Sequence, residues 1–132
     1  MSPWWRRDLY QENIPMENEL YSIYHLALEA GKFPAFKALI EKIVEATSHE
    51  ADTLTYEYVV NAEQTAVHII ERYRMVGVLP HVEQTFSPYA EEFLNLSSIE
   101  KLFVYGNPTP EVKAKLDSFG AIYLAPFAGF TR

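Results

Sequence analysis

The amino-acid sequence predicts an α+β fold of the ferredoxin-like, split β-α-β type, and three observations carry that prediction. Leu20–Leu28, Leu54–Val60, Thr65–Arg74 and Ile99–Tyr105 are rich in β-branched, aromatic and aliphatic residues and read as strands. Phe36, Leu39, Ile40, Ile43, Val44 and Thr47 recur at intervals of three and four, the period of a helix with one buried face. The order of elements, β-α-β-β-α-β, is that of the split βαβ arrangement, in which the helices lie on one face of the sheet.

Taken in chain order, residues 1–18 read as an arm rich in proline and polar groups. Its Trp4 and Trp5 are costly to leave in water, so the arm is expected to lie against the body or a partner. The ferredoxin-like domain is assigned to 19–132, with a C-terminal extension from about residue 106. The first strand is apolar on both faces, as in a strand covered on both sides. Gly31 ends it, and Pro34 suits the first turn of a helix, where its missing N–H costs nothing. That helix runs for about four turns, with Lys37, Glu41, Lys42 and Glu45 opposite the apolar stripe.

Leu54–Val60 and Thr65–Arg74 are joined by Asn61-Ala62-Glu63-Gln64, a connection of hairpin length. The two-residue period of the second of these strands puts Val67, Ile69, Glu71 and Tyr73 on one face, with Ala66, His68, Ile70 and Arg72 on the other. Gly77 and Pro80 both weaken a helix, so a loop is expected after Arg74, with a new helix from Leu79 or Pro80. A further helix is expected at Ser87-Pro88, an N-cap followed by proline, with Glu91 and Glu92 near its positive end. After the Ile99–Tyr105 strand, Gly106-Asn107-Pro108 turns the chain. Thr109-Pro110 starts a last helix that Gly120 closes, and Ala121–Leu124 forms a short fifth strand. The tail Pro126–Phe130 is too apolar to be free. The second face of the sheet also carries apolar residues (Ile23 or Tyr24, Val59 or Tyr58, Ile70). A second copy is the simplest cover for it, so a homodimer is expected, with Phe127 and Phe130 as candidates to reach across.

Composition excludes several functions. The chain has 132 residues, a net charge of −7 and 11 Lys and Arg with no basic cluster, which argues against nucleic acid. Its apolar runs are too short to span a bilayer, and Trp4-Trp5-Arg6-Arg7 is followed by polar residues rather than the core of a signal peptide. A cytoplasmic location is therefore expected, and the absence of cysteine fits it while removing thiol chemistry and iron–sulfur clusters. The five glycines form no phosphate-cradling turn, so no nucleotide or flavin site is expected. His25 and His68 fall on neighbouring strands, but no carboxylate cluster joins them, so no metal site is expected either. His49 stands near a helix C-terminus, where a positive charge is favoured. Nine Tyr, eight Phe and two Trp suit a pocket for a flat organic ligand, although they equally suit an aromatic core.

The chemistry-bearing residues concentrate at Glu71-Arg72-Tyr73 and His81, a carboxyl, a phenol and an imidazole at one strand-to-helix corner. Together with Leu26–Lys32 before the first helix and Glu50–Tyr58 through the second strand, these residues give a chain that resembles the antibiotic biosynthesis monooxygenases, a family of dimeric α+β barrels. The resemblance runs from about Tyr21 to Tyr105 and departs from the family in three respects. Gly77 and Pro80 interrupt the segment that carries the family's histidine, and Tyr73 stands where tryptophan is common. The asparagine, tryptophan and histidine of the haem-degrading members have no counterpart.

The resemblance implies a homodimeric monooxygenase that oxidises a quinol or polyphenol-like aromatic substrate with O2 and no cofactor. An electron-rich phenolate can pass an electron to O2 directly, so the protein has only to bind the substrate and remove a proton. Imidazole needs least tuning for that task. His81 is then the candidate base, and Glu71 the group that orients or balances charge. Tyr73, Tyr56 and Tyr58 are candidate hydrogen-bond donors, with Ile69 beside them against the substrate. An isomerase or cyclase that uses the same base without O2, or a protein that only binds a small molecule, fits the same residues. Glu71 paired with Arg72, Arg74 or a backbone donor from a partner subunit is the purely structural alternative.

Overall fold

Alternation along β1 (Glu19–Ala27) sets the frame of the molecule, described from a computed structural model for residues 18–132. Leu20, Ser22, Tyr24 and Leu26 are buried on one face, and the residues between them lie on the other. The arm, including Trp4 and Trp5, lies outside the described residues apart from Asn18. β1 pairs antiparallel with β3 (Ala66–Arg74) on one side and β4 (Ser98–Tyr105) on the other. β2 (Thr53–Val60) flanks β3, and β5 (Ala121–Leu124) adds in parallel to β4, giving the order β2-β3-β1-β4-β5. The core four strands in this order are those of the ferredoxin-like fold that the alternation predicts.

Helices α1 (Phe33–Thr47), α2 (Ala90–Leu96) and α3 (Pro110–Asp117) cover the face that carries Leu20, Tyr24, Val67, Ile69, Leu102 and Val104. Phe36, Leu39, Ile40 and Ile43 of α1 are buried as the periodicity predicts, whereas Val44 is partly exposed at a groove beside β2. Thr109 caps α3 through its side chain, accepting from the Val112 N–H, with Pro110 next to it.

The segment after Arg74 departs from the sequence expectation. No loop separates β3 from the helical region. Residues 75–89 wind continuously through a 3₁₀ turn, one α turn at Val78–Pro80, a π segment at His81–Phe86 and a second 3₁₀ turn at Ser87–Tyr89. Ser87 has helical dihedrals, so it continues the winding, and α2 begins at Ala90. Gly77 is buried and helical, and its role is clearance: a Cβ there would stand 2.6 Å from the Cβ of Asp52. Gly77→Ala is therefore expected to cost about 1–3 kcal/mol of stability by overpacking, read from urea unfolding.

The outer face of the sheet resolves the parities left open. Tyr24 and Tyr58 point to the helices, and Ile23, Val59 and Ile70 point away. Val59, Ile70, Ile122 and Leu124 are exposed there, as are Phe127 and Phe130 of the tail. His25 and His68 face each other in register on this surface, their rings stacked at 3.9 Å.

Candidate active site

Glu71 owes its position to register. It lies on the helix-facing side of β3, between Ser22 of β1 and Tyr56 of β2, and it is 6% exposed. No cation meets it. Arg72 points to the outer face and forms a bidentate pair with Glu19, at 2.6 and 2.9 Å, while Arg74 reaches Asp52 and the Ala51 carbonyl. Tyr73 donates to Glu71 Oε1 at 2.9 Å, and the second carboxyl oxygen has no hydrogen-bond partner among the described residues. Burial pushes the Glu71 carboxyl up to about 8, against the opposing pull of the Tyr73 hydrogen bond and with a smaller upward push from Glu50. At neutral pH Glu71 is a carboxylic acid, able to donate a proton.

His81 enters from the π segment. Its Nδ1 is 2.9 Å from Glu50 Oε1, and its Nε2 makes no hydrogen bond among the described residues. Burial lowers its pKa, and the charge and hydrogen bond of Glu50 only partly restore it. The imidazole is therefore neutral at pH 7, with Nδ1–H donating to Glu50 and the lone pair of Nε2 free. Glu50 is itself fixed: Thr53 Oγ1 donates to one oxygen at 2.8 Å and Thr85 Oγ1 to the other. A carboxylate so held sets the tautomer and orientation of the ring it accepts from. Glu50→Gln is expected to lower the His81 pKa further, because Glu50 is what holds it up against burial, and an imidazole NMR titration measures this.

His81 and Glu71 line one enclosed chamber between sheet and helices, together with Tyr24, Tyr56, Tyr58 and Ile69. The hydroxyls of Tyr56 and Tyr58 bond to each other at 2.8 Å, and the Tyr56 ring stands edge-on to His81 at 5.1 Å. Burial raises both phenols, so they remain protonated donors. Tyr73 does not line the chamber, and its hydroxyl is engaged by Glu71, so it positions the acid rather than reaching a substrate. The chamber holds about 30 Å³, room for one or two molecules the size of water. Val82, Phe86, Ile99 and Phe119 separate it from an outer cleft of about 320 Å³.

Strand parity and the Glu-x-Tyr…His spacing thus bring five of the six residues named from sequence to one chamber. They missed Glu50, which sits in the irregular turn between α1 and β2, where no periodicity marks it. They also missed Tyr24 and the phenylalanines of the wall. No group of three His, Cys, Asp or Glu side chains among the described residues is placed to hold a metal ion. No helix among them is long and apolar enough to cross a membrane.

No protein-family model and no curated protein matches the sequence. The solved structures do match. MupZ from Pseudomonas fluorescens is similar at a TM-score of 0.76 and 25% identity, over 89% of this chain and 92% of that one. SnoaB from Streptomyces nogalater, a cofactor-independent oxygenase, is similar at a TM-score of 0.60 and 10% identity, over 70% of this chain and 95% of that one. A candidate antibiotic biosynthesis monooxygenase from Nitrosomonas europaea is similar at a TM-score of 0.62 and 17% identity, over 72% and 95%. The chain has the antibiotic biosynthesis monooxygenase fold. The chamber is lined by residues of one chain, under the winding segment that supplies His81.

Proposed function

We propose that the protein is a cofactor-independent monooxygenase that oxidises a phenolic, quinol-like substrate with O2. The observation that carries the reading is the pairing, in one apolar chamber, of a neutral His81 backed by Glu50 with a Glu71 that keeps its proton. Two ionisable groups driven apart in this way divide the roles of base and acid. The fold shared with SnoaB, an oxygenase that needs no cofactor, supports the choice of reaction.

His81 Nε2 takes the proton of the substrate hydroxyl. The phenolate passes one electron to O2, and the resulting pair of radicals combines to a peroxide on a ring carbon that bears hydrogen. His81 returns its proton to the distal peroxide oxygen and then takes the C–H proton as the O–O bond breaks, while Glu71 protonates the departing hydroxide. A phenol and O2 thus become a quinone and water, and the substrate supplies all four electrons. Tyr56 and Tyr58 hold the substrate oxygen, and Ile69 packs beside it. The chamber as it stands is too small for an aromatic ring, so a phenolic ring reaches His81 only when Phe86 turns aside and joins the chamber to the outer cleft.

The assignment fixes the pH profile. Activity rises as His81 loses its proton, at a pKa that burial lowers from its ordinary value, and falls as Glu71 ionises at about 8, giving a bell with its plateau between. The reading includes a homodimer, supported by the exposed Val59, Ile70, Ile122 and Leu124 on the outer face and by Phe127, 83% exposed.

A second reading is favoured by Glu71 itself. A protonated carboxyl opposite an imidazole also suits an isomerase or cyclase, in which His81 deprotonates one oxygen while Glu71 protonates another. Oxygen uptake by the metal-stripped protein over a panel of substituted phenols and quinols separates the two. The proposal expects uptake above autoxidation, matched by the quinone formed. Turnover that continues without O2 would establish the second reading, and the absence of any turnover would leave a binding protein.

A further inference from the structure

Three spaces stand in series from His81 to the surface. The chamber of about 30 Å³ shares Val82, Phe86, Ile99 and Phe119 with the outer cleft of about 320 Å³. That cleft shares Glu83, Lys115 and Ser118 with an open groove along α3. The character of the lining changes along the way. The chamber presents hydroxyls, an acid and a base among aromatic rings, and the cleft presents Ala90, Leu94, Ile99 and Phe119. At the mouth, Lys115 Nζ stands 3.5 Å from Glu83 Oε1, with Ser118 beside them.

We infer that the substrate is an elongated amphipath: a small phenolic or enolic head for the chamber, an apolar chain for the cleft, and a polar, uncharged end at Lys115, Glu83 and Ser118. The inference rests on the acid–base reading of the chamber and adds to it the shape of the molecule that reaches it.

The partition decides for an elongated shape over a compact polycyclic one. Phe86 packs against Phe93 at 5.1 Å and Phe93 against Phe36 at 5.6 Å, so the ring that closes the chamber is braced by the core. A narrow head needs only Phe86 to turn, whereas a fused ring system has to displace the whole wall. The cleft has the size of a small-molecule site and an apolar lining, so a chain gains affinity there with each methylene it buries. The mouth does not select an anion. Its one lysine already faces Glu83, Glu111 lies on the same groove, and the chain carries a net charge of −7. Lysine, serine and carboxylate together offer both donors and acceptors, which suits an amide or a hydroxyl.

Calorimetric binding of a 4-alkylphenol series to the full chain tests this. Affinity is expected to rise roughly threefold to fourfold per added methylene until the cleft is filled. 4-Octylphenol is expected to bind at least tenfold more tightly than a phenanthrol of equal carbon number, and to shift the His81 imidazole resonances, which the phenanthrol leaves in place. An ω-amide on the chain is expected to bind at least as well as the ω-carboxylate. Leu94→Arg, which puts a charge into the cleft from an exposed position on α2, is expected to flatten the dependence on chain length. A flat series, a phenanthrol that binds as tightly as 4-octylphenol, a preference for the carboxylate, or a Leu94→Arg protein with the original slope would overturn the inference. The series involves no turnover, so the two claims fail separately. Chain-length dependence without oxygen uptake removes the oxygenase reading alone, and uptake with a flat series removes this one alone.

Discussion

His81→Ala is expected to lower turnover by roughly two to four orders of magnitude, the usual worth of a positioned general base. The loss arises because nothing else among the described residues of the chamber offers a lone pair of suitable basicity. Glu71 is protonated at neutral pH, and Tyr56, Tyr58 and Tyr24 are held in their neutral form by burial. Glu50 lies behind His81 and is occupied by Thr53 and Thr85. His81 is only 4% exposed, so truncation also leaves a cavity. Two comparisons separate chemistry from packing. His81→Phe fills the space without restoring a base and is expected to be as inactive as the alanine variant. Added imidazole is expected to restore part of the activity to His81→Ala and none to His81→Phe. Full activity in the phenylalanine variant would reduce His81 to a packing residue.

Glu71→Gln is expected to change stability by an amount that depends on pH, and the sign follows from proton binding. With a folded-state pKa of about 8 against an ordinary 4.5, Glu71 keeps its proton in the folded chain while the unfolded chain loses it. Between those values the folded state binds more protons, so the contribution of Glu71 to stability is complete below about pH 4.5 and lost as pH rises through 8. A shift of this size corresponds to up to about 5 kcal/mol. Glutamine cannot ionise, so the variant gains on the parent protein by up to that amount between pH 4.5 and 9 in urea unfolding. The same substitution removes the proton donor, so low activity in a protein more stable than its parent at alkaline pH is the joint signature. A gain of the variant at acid pH instead would mean that Glu71 is a carboxylate in the folded chain.

Strand parity explains why so much of this chamber was legible in the sequence. Once Val67, Ile69, Glu71 and Tyr73 were assigned to one face, burial of the aliphatic pair carried the carboxyl and the phenol inward with them. The register with β2 then set Tyr56 beside Glu71 and Tyr58 beside Ile69. The winding segment was not legible, because its pitch is decided by what it packs on. Gly77 reads as a helix breaker and serves instead as clearance for Asp52, and Pro80 closes the single α turn that leads into His81. Glu50 was hidden for a related reason. Its partners Thr53, His81 and Thr85 come from a strand and from the π segment, so only the tertiary fold assembles them. The Glu71–arginine pairing left open by sequence is absent because adjacent strand residues point to opposite faces, which sends Arg72 and Arg74 away from the chamber.

The mechanism turns on one chamber that holds a neutral base and a protonated acid at the same pH. Carbon-13 NMR titration of the glutamate carboxyls, with Glu71 assigned through Glu71→Gln, tests it together with the imidazole shifts of His81, and it requires no substrate. A Glu71 midpoint near pH 8 and a His81 midpoint below 6.5 with the proton on Nδ1 are expected. A Glu71 that titrates near its ordinary value of 4.5 would put a carboxylate where the mechanism needs an acid.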